Sequence, residues 1–284
     1  MSETAFGAVS LGLTASVAWG AADFTGGVIT KRTNVYGVVI GAELVGLLLL
    51  FPFAIILREP VPALGSWLMA GLAGICGGFG LILLYRALAG GQMSVAAPVS
   101  ALMGAAIPVL VGTMLEGFPK GSAMAGIGLA LVAILLISLS ADTGYRMRFN
   151  LAQLALPLAA GVIFGLFFVL MHQASQTARL WPIIATRLAS VAVLSSFALA
   201  TRQARLPERR FWPLITVSGI LDTGGNVFYV FAGQLGRLDI AAVLSSLYPA
   251  STVLLAWLIL KERVTTIQTI GILVALLAIL LIVL

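Results

Sequence analysis

Ten long apolar runs follow one another along the chain, and short segments with charged residues, proline or glycine separate them. A helix needs about 20 apolar residues to cross the hydrocarbon core of a bilayer. Hydrocarbon offers the backbone no hydrogen-bond partners, so the runs are predicted to be helices, whereas a barrel would show alternating segments of about 10 residues. The ten predicted spans are residues 5–29, 35–57, 66–89, 94–115, 122–141, 151–171, 180–201, 211–233, 240–260 and 265–284.

Composition supports a membrane protein and argues against a soluble enzyme. Of the 284 residues, 61% are hydrophobic and 9% are charged, whereas a soluble domain carries roughly 25% charged residues. The net charge of +6 resides in the short connections, so we expect it to face lipid headgroups and the cytoplasm rather than a nucleic acid. Cys76 is the single cysteine, which excludes an intrachain disulfide. No cleaved signal peptide is expected.

The second half of the sequence repeats features of the first. Residues 125–137 resemble residues 270–282, and Gly20 aligns with Gly165, both at an offset of 145 residues. Each copy would hold five spans, and because five is odd, the second copy must enter the membrane from the opposite side. Transporters built from inverted repeats bind their substrate near the bilayer midplane, between the repeats.

Four short motifs carry a resemblance to a known family. They are Trp19-Gly20, Leu244-Ser245-Ser246-Leu247-Tyr248-Pro249, Lys261-Glu262-Arg263 and Gln268-Thr269-Ile270-Gly271. With these motifs the sequence resembles the drug/metabolite transporter superfamily in its ten-helix form with two EamA-type repeats. The first half departs from the pattern, because Met103 stands where Pro249 would map.

The resemblance covers essentially the whole chain and implies an all-α integral membrane fold of ten transmembrane helices in two inverted five-helix repeats. We expect the first repeat in residues 1–141 and the second in residues 149–284. The resemblance leaves the substrate open, since proteins of this build carry amino acids, cations, sugars and other metabolites.

The basic residues of the connections predict the orientation. Eleven of the 16 Lys and Arg residues lie on one side of the predicted topology, four lie on the other, and Arg187 lies inside a span. The positive-inside rule then places both termini outside the cytoplasm, whereas the resemblance implies that both lie inside. We expect the protein in the cytoplasmic (inner) membrane.

Five charged residues fall at membrane depth in this topology: Asp23, Glu43, Arg86, Arg187 and Asp222. A charge there costs about 2.5–3.5 kcal/mol on insertion scales, so each is a functional candidate. Glu43 and Arg187 occupy equivalent places in the two repeats, each roughly 10–12 Å from the nearer membrane face. We predict that both face a central cavity, where they pair with each other or bind a zwitterion. The alternative is a static ion pair that fixes helix packing.

Two helix faces combine an acid with a polar or aromatic neighbour. Asp23 lies four residues after Trp19, so Trp19 offers an aromatic wall and Asp23 a counter-ion or proton site. The alternatives are an interfacial cap for Asp23 and plain packing for Trp19. Asp222 and Asn226 are also four residues apart, with Tyr229 near the same face, and this face is predicted to contact the ligand.

Further candidates lie in the third and ninth spans. Tyr85-Arg86 ends the third span, where Arg86 either joins the site or reaches the interface. Ser245, Ser246 and Tyr248 either line the cavity or form hydrogen bonds between helices. The predicted substrate-binding and translocation residues are Trp19, Asp23, Glu43, Tyr85, Arg187, Asp222, Asn226, Tyr229, Ser245 and Tyr248.

The sequence offers little for other chemistry. His172 is the single histidine and is interpreted as interfacial; one histidine and one cysteine do not make an ordinary zinc or Cys-His nucleophilic site. No Gly-Lys-Ser/Thr loop for ATP occurs. Gly74 with Gly78 and Gly161 with Gly165 are interpreted as packing seams. We predict no metal, no cofactor and no enzyme activity.

The predicted function is secondary-active transport by alternating access. The substrate is expected to be a small organic metabolite, such as an amino acid, an amine or a similar amphipathic solute, and Asp23, Glu43 and Asp222 are the candidate sites for proton coupling. The alternatives are a membrane-embedded lipid-modifying enzyme, which needs a cluster of catalytic groups, and a passive channel, which needs a continuous polar pore. We expect a monomer, with a homodimer as the alternative.

Overall fold

A computed structural model describes residues 3–89, 93–119, 121–138, 151–260 and 265–283 of the chain. The described residues form eleven α-helices, and a 3₁₀ turn, Arg209–Phe211, leads into the eighth. The motif Lys261-Glu262-Arg263, the end of the fifth predicted span at 139–141 and the residues of predicted connections at 90–92, 120 and 142–150 lie outside the described residues. The helices are α1 (Glu3–Thr30), α2 (Val35–Ile56), α3 (Leu64–Ala89), α4 (Met93–Glu116), α5 (Gly121–Ser138), α6 (Leu151–Ala174), α7 (Leu180–Ala200), α8 (Trp212–Leu235), α9 (Leu238–Ser245), α10 (Tyr248–Leu260) and α11 (Thr266–Val283).

The outer surface of the bundle is apolar, and the predicted all-α membrane fold is confirmed. Leu48 of α2, Leu68 of α3 and Leu273 of α11 are exposed, as a surface that contacts hydrocarbon requires. Six described segments are long and apolar enough to cross a bilayer, namely Val35–Ile56, Leu64–Ala87, Ala155–Ala174, Leu180–Ala200, Arg209–Leu235 and Leu238–Ile259.

The ninth predicted span is interrupted in the structure. The sequence predicts one helix over residues 240–260, but two residues separate α9 from α10. Proline has no backbone N–H, so Pro249 cannot donate a hydrogen bond to the carbonyl of Ser245, four residues earlier. In the first repeat Met103 takes the place of Pro249, and α4 runs through that position without a break.

Contacts between the two halves repeat with the offset found in the sequence. Trp19 of α1 lies against Gly225 of α8, where an added Cβ would come within 2.5 Å of the indole ring. Phe164 of α6 lies in the same way against Gly80 of α3, at 2.7 Å. Trp19 and Phe164 are 145 residues apart, and so are Gly80 and Gly225. The halves are therefore related by a pseudo-two-fold axis.

The ends of α2 and α7 share an uncommon backbone geometry. Arg58 and Arg202, which are 144 residues apart, have left-handed φ angles of 50° and 55°. The N–H group of the residue before each bonds to the carbonyl four residues back, from Leu57 to Phe53 and from Thr201 to Phe197. Helices often end in a left-handed residue, but glycine or asparagine usually supplies it. The left-handed conformation at two equivalent arginines supports the presence of a structural repeat, and this evidence does not depend on side-chain packing.

The second repeat is inverted relative to the first. The end of α2 meets the start of α7, where Oε2 of Glu59 accepts hydrogen bonds from the N–H groups of Leu180 at 2.8 Å and Trp181 at 3.3 Å. At the other end, an added Cβ on Gly37 of α2 would lie 2.6 Å from the carbonyl oxygen of Arg205, beyond the end of α7. The two equivalent helices thus run antiparallel, as the odd number of spans per repeat predicts.

Arg237 joins α4 to α9 in the connection before α9. Its Nη2 atom donates to Oδ2 of Asp239 at 2.8 Å and to the carbonyl of Gly117 at 2.6 Å. The hydrogen bond to Asp239 and the negative charge of that carboxylate raise the pKa of Arg237 above its ordinary value. The guanidinium therefore stays charged at every physiological pH.

Candidate functional site

Arg187 of α7 is the centre of a buried ion cluster. Its Nη1 atom is 2.6 Å from Oε2 of Glu43 in α2, and its Nη2 atom is 2.6 Å from Oδ2 of Asp222 in α8. The side chains of Arg187, Glu43 and Asp222 are 4%, 7% and 17% exposed. One guanidinium thus faces two carboxylates away from solvent, and a charge at such depth in a membrane protein marks a functional candidate.

Glycines bring the helices around this cluster into backbone contact. Gly74 of α3 lies against the backbone of Thr186 in α7, and an added Cβ would be 2.7 Å from its carbonyl carbon. Gly161 of α6 would meet the carbonyl oxygen of Ser100 in α4 at 2.6 Å. The interpretation of these glycines as packing seams is therefore confirmed for both pairs of helices.

Asn226 supports the Asp222 side of the cluster. Its Nδ2 atom donates to the backbone carbonyl of Asp222 at 2.8 Å and lies 3.5 Å from the Oδ2 atom of the same residue. Asn226 is buried, at 5% exposure. The two polar side chains therefore share one face of α8, as their spacing predicts.

Asp23 of α1 is a third carboxylate beside the cluster. The hydroxyl of Tyr85 in α3 hydrogen-bonds it, and this hydroxyl lies over Gly26, which has no side chain to displace it. The charge of Asp222 also acts on Asp23. Among the described residues Asp23 has no ion-pair partner, and no three His, Cys, Asp or Glu side chains of this part of the chain are placed to hold a metal ion.

The cluster borders a cavity between the repeats. Its volume is about 70 Å³, whereas a single water needs roughly 10–15 Å³ and typical ligand pockets have roughly 300–1,000 Å³. The cavity therefore suits a small solute. Its charged and polar lining consists of Asp23, Glu43, Ser100, Thr186, Arg187, Ser190, Asp222, Asn226, Ser246 and Tyr248. Its apolar side chains are Trp19, Leu81, Ala101, Phe164, Phe167 and Phe168.

The pseudo-symmetry of the backbone does not extend to the chemistry of the cavity. The lining is partly ionic and partly aromatic or aliphatic, although equivalent helices of the two repeats supply it. At an offset of 145 residues, the counterparts are Phe168 for Asp23, Gly77 for Asp222 and Leu81 for Asn226. A polar residue at each of these positions in one repeat thus corresponds to an apolar residue or glycine in the other.

Three of the predicted site residues do not line the cavity, namely Tyr85, which hydrogen-bonds the lining residue Asp23, Tyr229 and Ser245. Tyr229 is 1% exposed; its hydroxyl donates to the carbonyl of Phe168 at 2.8 Å, and its ring packs on Trp19 with the centroids 5.8 Å apart. The hydroxyl of Ser245 donates to a carbonyl of α1 at 3.4 Å, which is the interhelical alternative weighed from the sequence. Ser246, the next residue, lines the cavity instead.

Arg86 and His172 lie at helix ends, away from the cavity. Arg86 donates to the hydroxyl of Tyr36 at 2.7 Å and to Oε1 of Gln203 at 2.9 Å, so it joins α2 and α3 to the connection after α7. His172 in the last turn of α6 packs against Gly233 of α8.

Sequence reasoning missed the aromatic wall. Phe164, Phe167 and Phe168 line the cavity, and the ring of Phe168 lies 5.5 Å from that of Trp19. A signal for Phe164 existed, since it is the repeat equivalent of Trp19 at an offset of 145. Phenylalanines of a membrane helix are equally suited to lipid, however, so the residue type alone does not indicate a cavity.

An apolar exterior, two inverted five-helix repeats and a polar cavity between them define a multi-pass membrane protein of the transporter class. The chain belongs to the EamA-like transporter family, whose model matches residues 6–139 and again residues 151–284. It is thus a membrane transporter of the drug/metabolite type.

A solved structure agrees on the fold. It is described only as the crystal structure of a protein, and it superimposes with a TM-score of 0.73 at 18% sequence identity, over 96% of this chain and 95% of that chain. At this identity the likeness concerns the fold alone. No curated protein sequence matches the chain.

Proposed function

We propose that the protein is a secondary-active transporter that moves a small organic metabolite, such as an amino acid or an amine, across the cytoplasmic membrane by alternating access. The observation that carries the proposal is the buried cluster of Arg187, Glu43 and Asp222 beside a cavity between inverted repeats. Charges inside a membrane protein usually serve a substrate or proton pathway. Motion of one repeat against the other would open such a site to each side in turn.

The depth of the cluster supports this proposal. Glu43 lies eight residues after the start of α2, and Arg187 lies seven residues after the start of α7. With a rise of about 1.5 Å per residue, both side chains originate roughly 10–12 Å from the helix ends. Because α2 and α7 start at opposite faces, both residues lie near the midplane.

Asp23 is the carboxylate that we propose for proton coupling. Glu43 and Asp222 each have a nitrogen of Arg187 at 2.6 Å, and a proton on either would weaken that ion pair. Asp23 has no such partner among the described residues, so it can exchange a proton without breaking an ion pair. A proton on Asp23 in one orientation of the carrier and not in the other would couple transport to the proton gradient.

Entrance counterflow in proteoliposomes tests the transport proposal. We expect saturable exchange for at least one of three solute classes, namely amines, amino acids and nucleosides. The change Asp222→Asn should lower the exchange rate at least about tenfold, because Arg187 loses the negative charge of one of its two ion-pair partners. The matched control Glu208→Gln, at a 63% exposed carboxylate, should leave the rate unchanged. Turnover of a lipid without translocation, or a flux that does not saturate, would contradict the proposal.

We also propose that both termini lie outside the cytoplasm, because the Arg-rich connection between α7 and α8 lies at the opposite end of the bundle. After Cys76→Ala, single cysteines at two exposed alanines report the sides: Ala63→Cys before α3 and Ala204→Cys after α7. In intact cells an impermeant thiol reagent should label position 63 and not position 204. The reverse pattern would overturn the orientation and leave the transport proposal standing.

A further inference from the structure

The cavity carries more negative than positive groups. Three carboxylates line it, those of Asp23, Glu43 and Asp222, against one guanidinium, that of Arg187, and no other charged side chain of the described residues does so. We infer that the solute is a small organic cation, an ammonium group on an aromatic or aliphatic body. The inference rests on the transport function proposed above and names its substrate class.

Arg187 is not available to bind an anionic substrate. Both of its terminal nitrogens are 2.6 Å from protein carboxylates. A guanidinium carries five N–H donors, and the one on Nε has no hydrogen-bond partner among the described residues and lies beside Gly46 of α2. A substrate carboxylate would either add a further negative charge beside those of Glu43 and Asp222 or displace one of them and leave a buried charge unpaired, which is strongly unfavourable. A solute with a carboxylate is therefore disfavoured.

The positive charge of the solute is expected to bind next to the carboxylate of Asp23. It accepts a hydrogen bond from Tyr85 and has no cationic partner among the described residues. The charge of Asp222 acts on it as well. A cation next to Asp23 would pair with its carboxylate, whereas a neutral solute would leave that carboxylate without an ionic partner.

Buried hydroxyls without partners point to a donor-rich ligand. Ser246 and Ser190 are 0% and 1% exposed. Both line the cavity, and in the described part of the chain their Oγ atoms have no hydrogen-bond partner. A hydroxyl oxygen can accept two hydrogen bonds, and a primary ammonium carries three donors and no acceptor. The cavity thus offers a carboxylate and hydroxyl oxygens to the same head group.

The aromatic wall provides a surface for the apolar body. Trp19 and Phe168 lie with their ring centroids 5.5 Å apart, and Phe167 and Phe168 at the same distance. Phe164 extends this wall toward α3. Aromatic faces attract cations and also bury apolar groups, so the wall suits an organic cation better than an inorganic one.

Binding to the unaltered protein tests the charge of the solute directly. Phenethylamine, 2-phenylethanol and 3-phenylpropionate have similar bodies and are cationic, neutral and anionic at pH 7. By isothermal titration calorimetry, phenethylamine should bind at least about tenfold more tightly than either of the other two, because charged hydrogen bonds are worth that much or more. Equal or tighter binding of 2-phenylethanol or 3-phenylpropionate would overturn the inference.

A pair of matched variants tests the role of Asp23. The change Asp23→Asn should weaken phenethylamine binding at least about tenfold, whereas Glu208→Gln, the same chemical change at an exposed carboxylate, should not alter it. Thermal unfolding checks that both variants fold, and Ser246→Ala gives a second variant with an expected loss of affinity. Unchanged binding in folded Asp23→Asn would contradict the inference.

Counterflow separates this inference from the transport proposal. Exchange of a neutral or anionic solute, with no binding of phenethylamine, would contradict the inference that the solute is an organic cation. The proposal that the protein is a transporter would still be supported. Binding of phenethylamine without exchange of any solute would contradict the transport proposal. The inference of a binding site for an organic cation would still be supported.

Discussion

Replacing Arg187 with glutamine is expected to lower the free energy of unfolding by about 3–5 kcal/mol, since removal of one partner leaves buried charges uncompensated. Arg187 is 2.6 Å from each of two carboxylates, those of Glu43 and Asp222, and the glutamine amide would supply no positive charge to either. Chemical denaturation in detergent micelles measures the difference between the variant and the unaltered protein.

An exposed ion pair provides the matched control. Arg210 and Glu208 form a salt bridge with side chains that are 69% and 63% exposed. Exposed pairs contribute about 0–1 kcal/mol, so Arg210→Gln should change stability little. If Arg187→Gln were no more destabilising than Arg210→Gln, the cluster would not be a buried ionic group.

A neutral triple variant separates structural from functional roles of the cluster. Glu43→Gln, Arg187→Gln and Asp222→Asn together remove all three charges and keep approximate shapes. Replacement of a complete buried ion cluster is often nearly neutral for stability, so the triple variant should be more stable than Arg187→Gln alone. It should nevertheless exchange no solute in counterflow. Full exchange by the triple variant would favour the alternative stated in the sequence analysis, in which a static ion pair only fixes the packing of the helices.

The sequence was sufficient for the membrane fold because its signals are strong and local. Long apolar runs decide where the helices form, and the offset of 145 residues, carried by Gly20 and Gly165, identifies two copies. The interruption between α9 and α10 was not predicted. Proline is tolerated inside other helices of this protein, at Pro52 in α2 and Pro157 in α6. Its effect at Pro249 therefore depends on the surrounding packing rather than on residue type alone.

The site was predictable where charge carried the signal. Glu43, Arg187 and Asp222 stood out because charges are rare in apolar spans, and a pair of Glu43 with Arg187 was one of the predicted alternatives, but the contact of Asp222 with Arg187 was not predicted. Asp222 lies in a different helix, and its distance of 2.6 Å to Arg187 depends on how α7 and α8 pack. Tyr229 looked like a lining residue, yet it lies behind Trp19 and hydrogen-bonds the backbone of Phe168. A helix face specifies which residues are neighbours, and only the packing of neighbouring helices specifies which of them reach the cavity.

The change Gly74→Ala should destabilise the protein toward the upper end of the about 1–3 kcal/mol range typical of overpacking. A Cβ on Gly74 would meet the carbonyl group of Thr186, and backbone cannot move aside as a flexible side chain can. Because Gly74 and Thr186 also line the cavity, a shift of α3 away from α7 should lower counterflow as well.

The same substitution at an open position should have the opposite sign. Gly128 of α5 has no heavy atom within 4 Å of an added Cβ, so Gly128→Ala should raise stability by about 0.5–1 kcal/mol through helix propensity alone. Gly219→Ala should behave like Gly74→Ala, since its Cβ would lie 2.6 Å from the carbonyl oxygen of Ala42. Gly219 is the repeat equivalent of Gly74, 145 residues later. If Gly74→Ala and Gly128→Ala had the same free energy of unfolding, α3 and α7 would not be in backbone contact. The cavity lining described here, which depends on this contact, would then be wrong.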